Sequence, residues 1–138
     1  MNVLDSSAAC DLVRKTEEGM AFRALMLSEE KVISCELLRA EVVSIFRKLC
    51  RHGFIPIEKV QSFLTESTAL VNEYYSIQEL QEEVLSESIR LDHSSYDMFY
   101  FVLARRFGAT LFTLDRKLIR LCEEQGVQCV AILENGEF

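Results

Sequence analysis

Short apolar runs alternate with longer segments of helical periodicity along this 138-residue chain. The short runs are rich in β-branched residues, which favours strands, whereas the longer segments repeat apolar residues along one helical face. The pattern predicts strands at 2–4, 31–34, 110–113 and 128–132. It predicts helices from just after Asp5 to about residue 13 and at 17–28, 35–51, 57–71, 77–89, 95–107 and 115–125. Such alternation is typical of an α/β fold with a mostly parallel central sheet.

No internal boundary interrupts this pattern. The chain has one Pro, five Gly and no Ser/Gly-rich linker, so we expect a single domain over residues 1–132 and a polar tail at 133–138. No apolar run approaches the roughly 20 residues that span a bilayer, so we expect no membrane partner.

Charge and cysteine content narrow the classes of function. With 15 basic and 22 acidic residues, the net charge of −7 argues against a protein that coats nucleic acid through bulk positive charge. It leaves open an enzyme that meets a phosphodiester through metal ions and a local basic rim. The five cysteines form no CxxC pair or zinc pattern, and the first residues lack the basic region of a secretory signal. We therefore expect ordinary thiols and a cytoplasmic location.

Two aspartates directly follow predicted strands. Asp5 follows the first strand, and Asp115 follows the apolar run that ends at Leu114. In a parallel sheet, residues just past the carboxyl ends of the strands face the crevice where ligands bind, so these carboxylates could share a metal. Each aspartate also opens a predicted helix, and helix capping is an equally good interpretation of either one taken alone.

A third carboxylate lies on an apolar helical face. Glu41 falls between Leu37 and Ile45 on a helical wheel. Because an uncompensated carboxylate in a core is costly, we expect a compensating group. The alternatives are a metal ion, a buried pair with Arg39 or Arg90, or an edge position that reaches water.

The fourth carboxylate, Asp97, opens the most apolar predicted helix. Ser94-Ser95-Tyr96-Asp97 fits the capping-box pattern, so a structural role competes with a place in the same crevice. Clustered carboxylates repel one another, and a divalent cation removes that repulsion. Oxygen ligands suit Mg²⁺ or Mn²⁺, and such ions promote phosphodiester hydrolysis.

The four acids lie in strings that resemble the PIN domain, most closely the VapC-type toxins and their stand-alone relatives. The strings are Val3-Leu4-Asp5-Ser6-Ser7, Leu37-Leu38-Arg39-Ala40-Glu41-Val42, Ser95-Tyr96-Asp97-Met98-Phe99-Tyr100-Phe101-Val102-Leu103-Ala104 and Phe112-Thr113-Leu114-Asp115-Arg116-Lys117-Leu118. The likeness covers about residues 1–132.

The resemblance implies a three-layer α/β/α sandwich and an Mg²⁺- or Mn²⁺-dependent endoribonuclease. It assigns catalysis and metal binding to Asp5, Glu41, Asp97 and Asp115, and it places the hydroxyls of Ser7 and Thr113 beside them. It also implies a homodimer and, for a toxin, a small inhibitory antitoxin protein. Many relatives carry a further acid shortly after the position of Asp115; its absence here limits the expected cluster to four.

Basic, tyrosine and histidine residues allow two interpretations each. Four basic residues could contact an RNA backbone or could simply lie at solvated helix ends: Arg105, Arg106, Arg116 and Lys117. We expect the tyrosines to pack in the core or a dimer interface rather than stack on bases. His93 lies near Asp97 in sequence and could take part in proton transfer, but a lone loop histidine is usually incidental, and we do not expect it to be a catalyst.

Two other functions compete with the nuclease. One is a phosphoryl-accepting domain, receiver-like or phosphatase-like, with Asp5 as the nucleophile; a phosphatase would carry a second Asp where this chain has Ser7. The other is a non-catalytic PIN module whose acidic groove binds a partner.

Overall fold

The computed structural model describes residues 1–26 and 29–132. In chain order the elements are β1 (Asn2–Leu4), α1 (Ser6–Arg14), α2 (Glu17–Leu25), β2 (Val32–Cys35), α3 (Leu37–Arg51), α4 (Ile57–Ala69), β3 (Glu73–Tyr75), α5 (Ile77–Leu91), α6 (Ser95–Phe107), β4 (Thr110–Phe112), α7 (Arg116–Gln125) and β5 (Cys129–Val130). The predicted helix end at residue 28 and the tail at 133–138 lie outside the described residues.

The five strands form one parallel sheet in the order β3-β2-β1-β4-β5. Val3 of the central strand β1 lies opposite Ile33 of β2 on one side and Leu111 of β4 on the other. From β1 the chain runs outward through β2 and β3, and it then returns to add β4 and β5 on the other side of β1. The strand order therefore reverses between β1 and β4, where open α/β sheets form their ligand crevice.

Strand β3 is absent from the sequence-based prediction. It pairs with β2 in parallel, with Ile33 opposite Glu73 and Cys35 opposite Tyr75. Glu73 is exposed, and the two tyrosines that follow are half-buried, so the strand lacks a clear apolar run. Its strand conformation depends on pairing with β2, which is a tertiary contact that local sequence does not encode.

The sheet is flanked by the seven helices found within residues 1–26 and 29–132, which confirms the predicted single-domain α/β architecture. Helix α6 packs against β1, β2 and β4. Its residues from Met98 to Ala104 are all buried, as the nearly continuous apolar run of this segment predicts. No helix of the described part is long and apolar enough to cross a membrane.

Candidate functional site

Asp5 lies at the point where the sheet order reverses. Its backbone N–H donates to the Phe112 carbonyl at 3.2 Å, which joins the end of β1 to the end of β4. Its Oδ1 accepts hydrogen bonds from the Ser7 hydroxyl at 2.7 Å and the Ala8 N–H at 2.9 Å, and its Oδ2 accepts one from the Thr113 hydroxyl. The residue is only 4% exposed. A carboxylate that is almost fully buried is therefore held by three neutral donors.

The hydroxyls of Ser7 and Thr113 connect Asp5 to the chain that follows β4. Ser7 Oγ accepts from the Leu114 N–H at 3.1 Å, and Thr113 Oγ1 accepts from the Asp115 N–H at 3.0 Å. Each hydroxyl thus donates to the Asp5 carboxylate and accepts from a backbone N–H of the segment that follows β4. Both lie beside Asp5, where the resemblance to PIN domains places them.

Asp115 combines a capping role with a place at the same edge of the sheet. Its Oδ1 accepts from the Leu118 N–H at 3.0 Å and so caps α7, just as Asp5 caps α1 through Ala8. Burial raises the pKa of Asp97, and the negative charge of Asp115 raises it further. Capping and membership of an acidic cluster are therefore compatible in this fold.

Glu41 reaches the crevice from α3. Its Oε1 accepts a hydrogen bond of 2.5 Å from the hydroxyl of Tyr100 on α6. Desolvation raises the pKa of Glu41, and the hydroxyls of Tyr100 and Ser6 partly offset that rise. The group that contacts Glu41 in the structure is therefore the Tyr100 hydroxyl and not an arginine.

The alternative in which Arg39 or Arg90 neutralises Glu41 is wrong. Arg39 pairs with Glu36 at 2.8 Å, and Arg90 pairs with Glu87 at 2.5 Å. Both pairs join residues three positions apart on the surface, a spacing at which side chains of one helix meet readily.

Asp97 lies in the first turn of α6, but the predicted capping box is not formed. Ser94 makes no side-chain capping bond. Asp97 Oδ2 instead lies 3.3 Å from Nε2 of His93. His93 is therefore a direct neighbour of a site carboxylate.

Burial raises the pKa of three of the four carboxyl groups. Desolvation is the largest cause for Asp5, and the pKa of that group rises to about 6 despite the hydrogen bonds from Thr113, Ala8 and Ser7. Desolvation likewise raises the pKa of Glu41 and of Asp97. The charge of Asp97 also raises the pKa of both Asp5 and Glu41, so Asp97 links the whole set electrostatically. His93 and Lys117 partly offset the rise in the pKa of Asp97.

The donors in the crevice fit a hard divalent cation by their chemistry. They are carboxylate and hydroxyl oxygens, which Mg²⁺ and Mn²⁺ prefer, and the repulsion among the carboxylates is what a cation would remove. Within residues 1–26 and 29–132, no group of three or more His, Cys, Asp or Glu side chains is arranged to hold a metal ion. Each carboxylate is instead engaged by the protein donors described above.

The predicted substrate-binding cations fall into two groups. Arg105 pairs with Glu87 at 2.6 Å and with Glu83 at 3.0 Å, and Arg106 pairs with Glu83 at 3.1 Å. Arg105 lies eight residues after Asp97, about 12 Å further along the helix. The structure therefore does not bring Arg105 and Arg106 together with the carboxylates.

Arg116 and Lys117 open α7, directly after Asp115. Desolvation and the charge of Asp115 raise the pKa of Asp97, and the charge of Lys117 partly offsets that rise. Arg116 and Lys117 thus directly follow a crevice carboxylate in the chain, whereas Arg105 and Arg106 lie in ion pairs near the other end of α6.

The fold and the acidic crevice together define a nuclease-type α/β domain. The PIN domain model matches residues 3–124, and the chain belongs to the PIN domain family. The crystal structure of PAE2754 from Pyrobaculum aerophilum is similar, with a TM-score of 0.67 and 21% identity over 86% of this chain and 84% of that chain. At this identity the likeness supports the fold alone. No curated protein matches the sequence significantly.

Proposed function

We propose that this protein is a metal-dependent endoribonuclease that hydrolyses phosphodiester bonds of RNA with Mg²⁺ or Mn²⁺. The observation that carries the proposal is the crevice between β1 and β4. There Asp5 and Glu41 are buried or half-buried carboxylates whose contacts in the described residues are neutral donors. Burying a carboxylate without a positively charged partner is costly. Where the protein itself provides no such partner, a bound cation can balance the charge.

Each residue of the crevice has a role in this proposal. Asp5, Glu41, Asp97 and Asp115 would hold the ion, and Ser7 and Thr113 keep Asp5 oriented. The bound ion would supply a Lewis acid for the phosphodiester and would balance the charge of the carboxylates. Arg116 and Lys117 would contact RNA phosphates, which orients the backbone without reading its sequence.

The test is cleavage of a labelled single-stranded RNA with Mg²⁺ or Mn²⁺, repeated with a chelator. Asp5→Asn keeps the size of the side chain and removes its charge, so we expect loss of metal-dependent cleavage. Glu83→Gln, in the ion pairs with Arg105 and Arg106, is the matched control and should keep activity. Full activity of Asp5→Asn would end the proposal.

The biological setting is a separate prediction. A toxin role with a small antitoxin protein, a homodimer and a cytoplasmic location all stay predictions. Co-expression with the product of an adjacent reading frame tests the antitoxin, through loss of RNA cleavage in the purified complex. Light scattering on the purified chain tests the dimer.

A further inference from the structure

Tyr100 is an unusual residue for the centre of an apolar helix. It lies in α6 and is only 1% exposed, yet its hydroxyl donates a hydrogen bond of 2.5 Å to Oε1 of Glu41 on α3. It follows Asp97 by three positions, a spacing that places two side chains on the same helical face. The phenol therefore enters the crevice from the helix that carries Asp97 and ends on a carboxylate carried by another helix.

A buried phenol needs an acceptor, but it does not need a carboxylate. Tyr74 illustrates the ordinary solution, since its hydroxyl donates to the Thr68 backbone carbonyl at 2.6 Å. Tyr100 has Glu41 as its acceptor, and hydrogen bonds to a charged group are shorter and stronger than neutral ones. A phenol keeps its proton at neutral pH, so the Tyr100 hydroxyl is the donor of this hydrogen bond.

Glu41 is the carboxylate with the greatest need of such a contact. Asp5 directly follows β1, Asp115 lies three residues after the end of β4, and both are fixed by helix capping. Glu41 instead extends from the second turn of α3 on a longer side chain with more rotamers, and freezing those rotamers opposes ligand binding. A hydrogen bond that selects one rotamer in advance removes part of that cost.

We propose that Tyr100 is a positioning residue that fixes Glu41 beside Asp97 and Asp5, so that the crevice binds a divalent cation more tightly. The inference rests on the proposed function, because it assigns Tyr100 a role in the same cation site. Tyr100 acts through Glu41 and is not itself a ligand in this proposal.

The test is the affinity for Mn²⁺, measured by isothermal titration calorimetry without RNA. Tyr100→Phe removes one oxygen and keeps the ring, and we expect about tenfold weaker binding, as for other residues that orient metal ligands. Tyr74→Phe removes the same atom outside the crevice and should leave the affinity unchanged. Equal affinity of Tyr100→Phe and the unsubstituted protein overturns the inference alone. If the unsubstituted protein binds no Mn²⁺, the proposed function fails together with the inference.

A double-variant cycle separates positioning from packing. In a Glu41→Gln background the charge of the Glu41 side chain is gone, and Tyr100 has no carboxylate to position. Adding Tyr100→Phe should therefore weaken Mn²⁺ binding little further. A full tenfold further loss in that background would mean that Tyr100 acts through the core, and it would overturn the proposal.

An NMR measurement on the unsubstituted protein tests the same contact and does not depend on whether the variants fold. A hydroxyl proton in a short buried hydrogen bond to a carboxylate exchanges slowly and resonates far downfield. We expect that resonance in the metal-free protein and its persistence at saturating Mg²⁺. Its disappearance on Mg²⁺ binding would show that the contact breaks when the ion binds, which would overturn the role of Tyr100.

Discussion

Two acidic clusters lie near opposite ends of α6, and they differ in what balances their charge. The crevice cluster consists of Asp5, Glu41, Asp97 and Asp115. The α5–α6 cluster consists of Glu83 and Glu87 with Arg90, Arg105 and Arg106.

The pKa of Glu87 in the α5–α6 cluster and the pKa of Asp5 in the crevice cluster are shifted in opposite directions. Hydrogen bonds from Arg90 and Arg105 lower the pKa of Glu87 to about 2. In the crevice, burial raises the pKa of Asp5 to about 6. The α5–α6 cluster is charge-balanced by the chain itself and joins two helices. The crevice cluster is left with a net negative charge, which is the property of a cation site.

The largest expected difference between the clusters is in catalysis. Asp97→Asn should reduce the rate of Mg²⁺-dependent RNA cleavage by more than about a hundredfold, because a direct ligand matters more than the residues that orient it. Glu87→Gln should leave that rate within about twofold, since Glu87 lies outside the crevice. Initial rates at saturating RNA check both. Similar losses in the two variants would erase the functional distinction between the clusters.

The next prediction concerns stability without metal. The pKa of Asp5 rises from an ordinary value of 3.8 to about 6. Below pH 4 both folded and unfolded states hold the proton, so burial of Asp5 carries no ionisation penalty. Between pH 4 and 6 the unfolded state loses the proton first, and the free energy of unfolding falls with rising pH by up to about 3 kcal/mol.

Asp5→Asn removes this ionisation, so it should be more stable than the unsubstituted protein at pH 7 and lose that advantage near pH 4. Urea unfolding of both proteins in chelator at the two pH values measures the difference. A stabilising effect independent of pH would contradict the raised pKa.

A smaller effect of opposite sign is expected for the α5–α6 cluster. Because the folded-state pKa of Glu87 is lowered, its ion pairs stabilise the protein above about pH 4.5 and lose their effect as the pH falls toward 2. Glu87→Gln should therefore be slightly less stable than the unsubstituted protein at pH 7, and the difference should shrink on acidification. Thermal unfolding across that pH range checks the sign. The loss should be modest, because exposed pairs contribute little and are screened by salt.

The smallest expected effect concerns RNA binding. Lys117→Ala should raise KM for RNA roughly threefold and weaken its dependence on salt, because one phosphate contact is lost. Arg106→Ala should leave KM unchanged, because Arg106 is paired with Glu83 at the other end of α6. KM values at two salt concentrations check both variants. A larger effect for Arg106→Ala would restore the substrate-binding role predicted from the sequence.

Much of the site follows from local sequence. Asp5 directly follows β1 and Asp115 lies shortly after β4, and parallel strands bring such positions to one edge of the sheet. The contact between Tyr100 and Glu41 joins residues 59 positions apart, so it depends on where the tertiary fold places α6 relative to α3. The capping pattern at Ser94 was misleading because Asp97 contacts His93 instead. The capping box that does form is at Ser76 and Glu79.

Two other sequence-based predictions differ from the structure because of contacts that the sequence pattern does not reveal. Arg39 and Arg90 are the arginines that the sequence offers as ion-pair partners of Glu41. Each instead pairs with the glutamate three positions before it in the chain. The sequence does not predict strand β3, because Glu73–Tyr75 forms no apolar run and its strand conformation depends on pairing with β2.

The most direct test of the central claim is anomalous diffraction from a crystal soaked in Mn²⁺, collected at the manganese absorption edge. The account predicts an anomalous peak within coordination distance of Asp5 and of at least one of Glu41, Asp97 and Asp115, and none at Glu83 or Glu87. A crevice without anomalous density at saturating Mn²⁺, or a peak on the α5–α6 cluster instead, would contradict it.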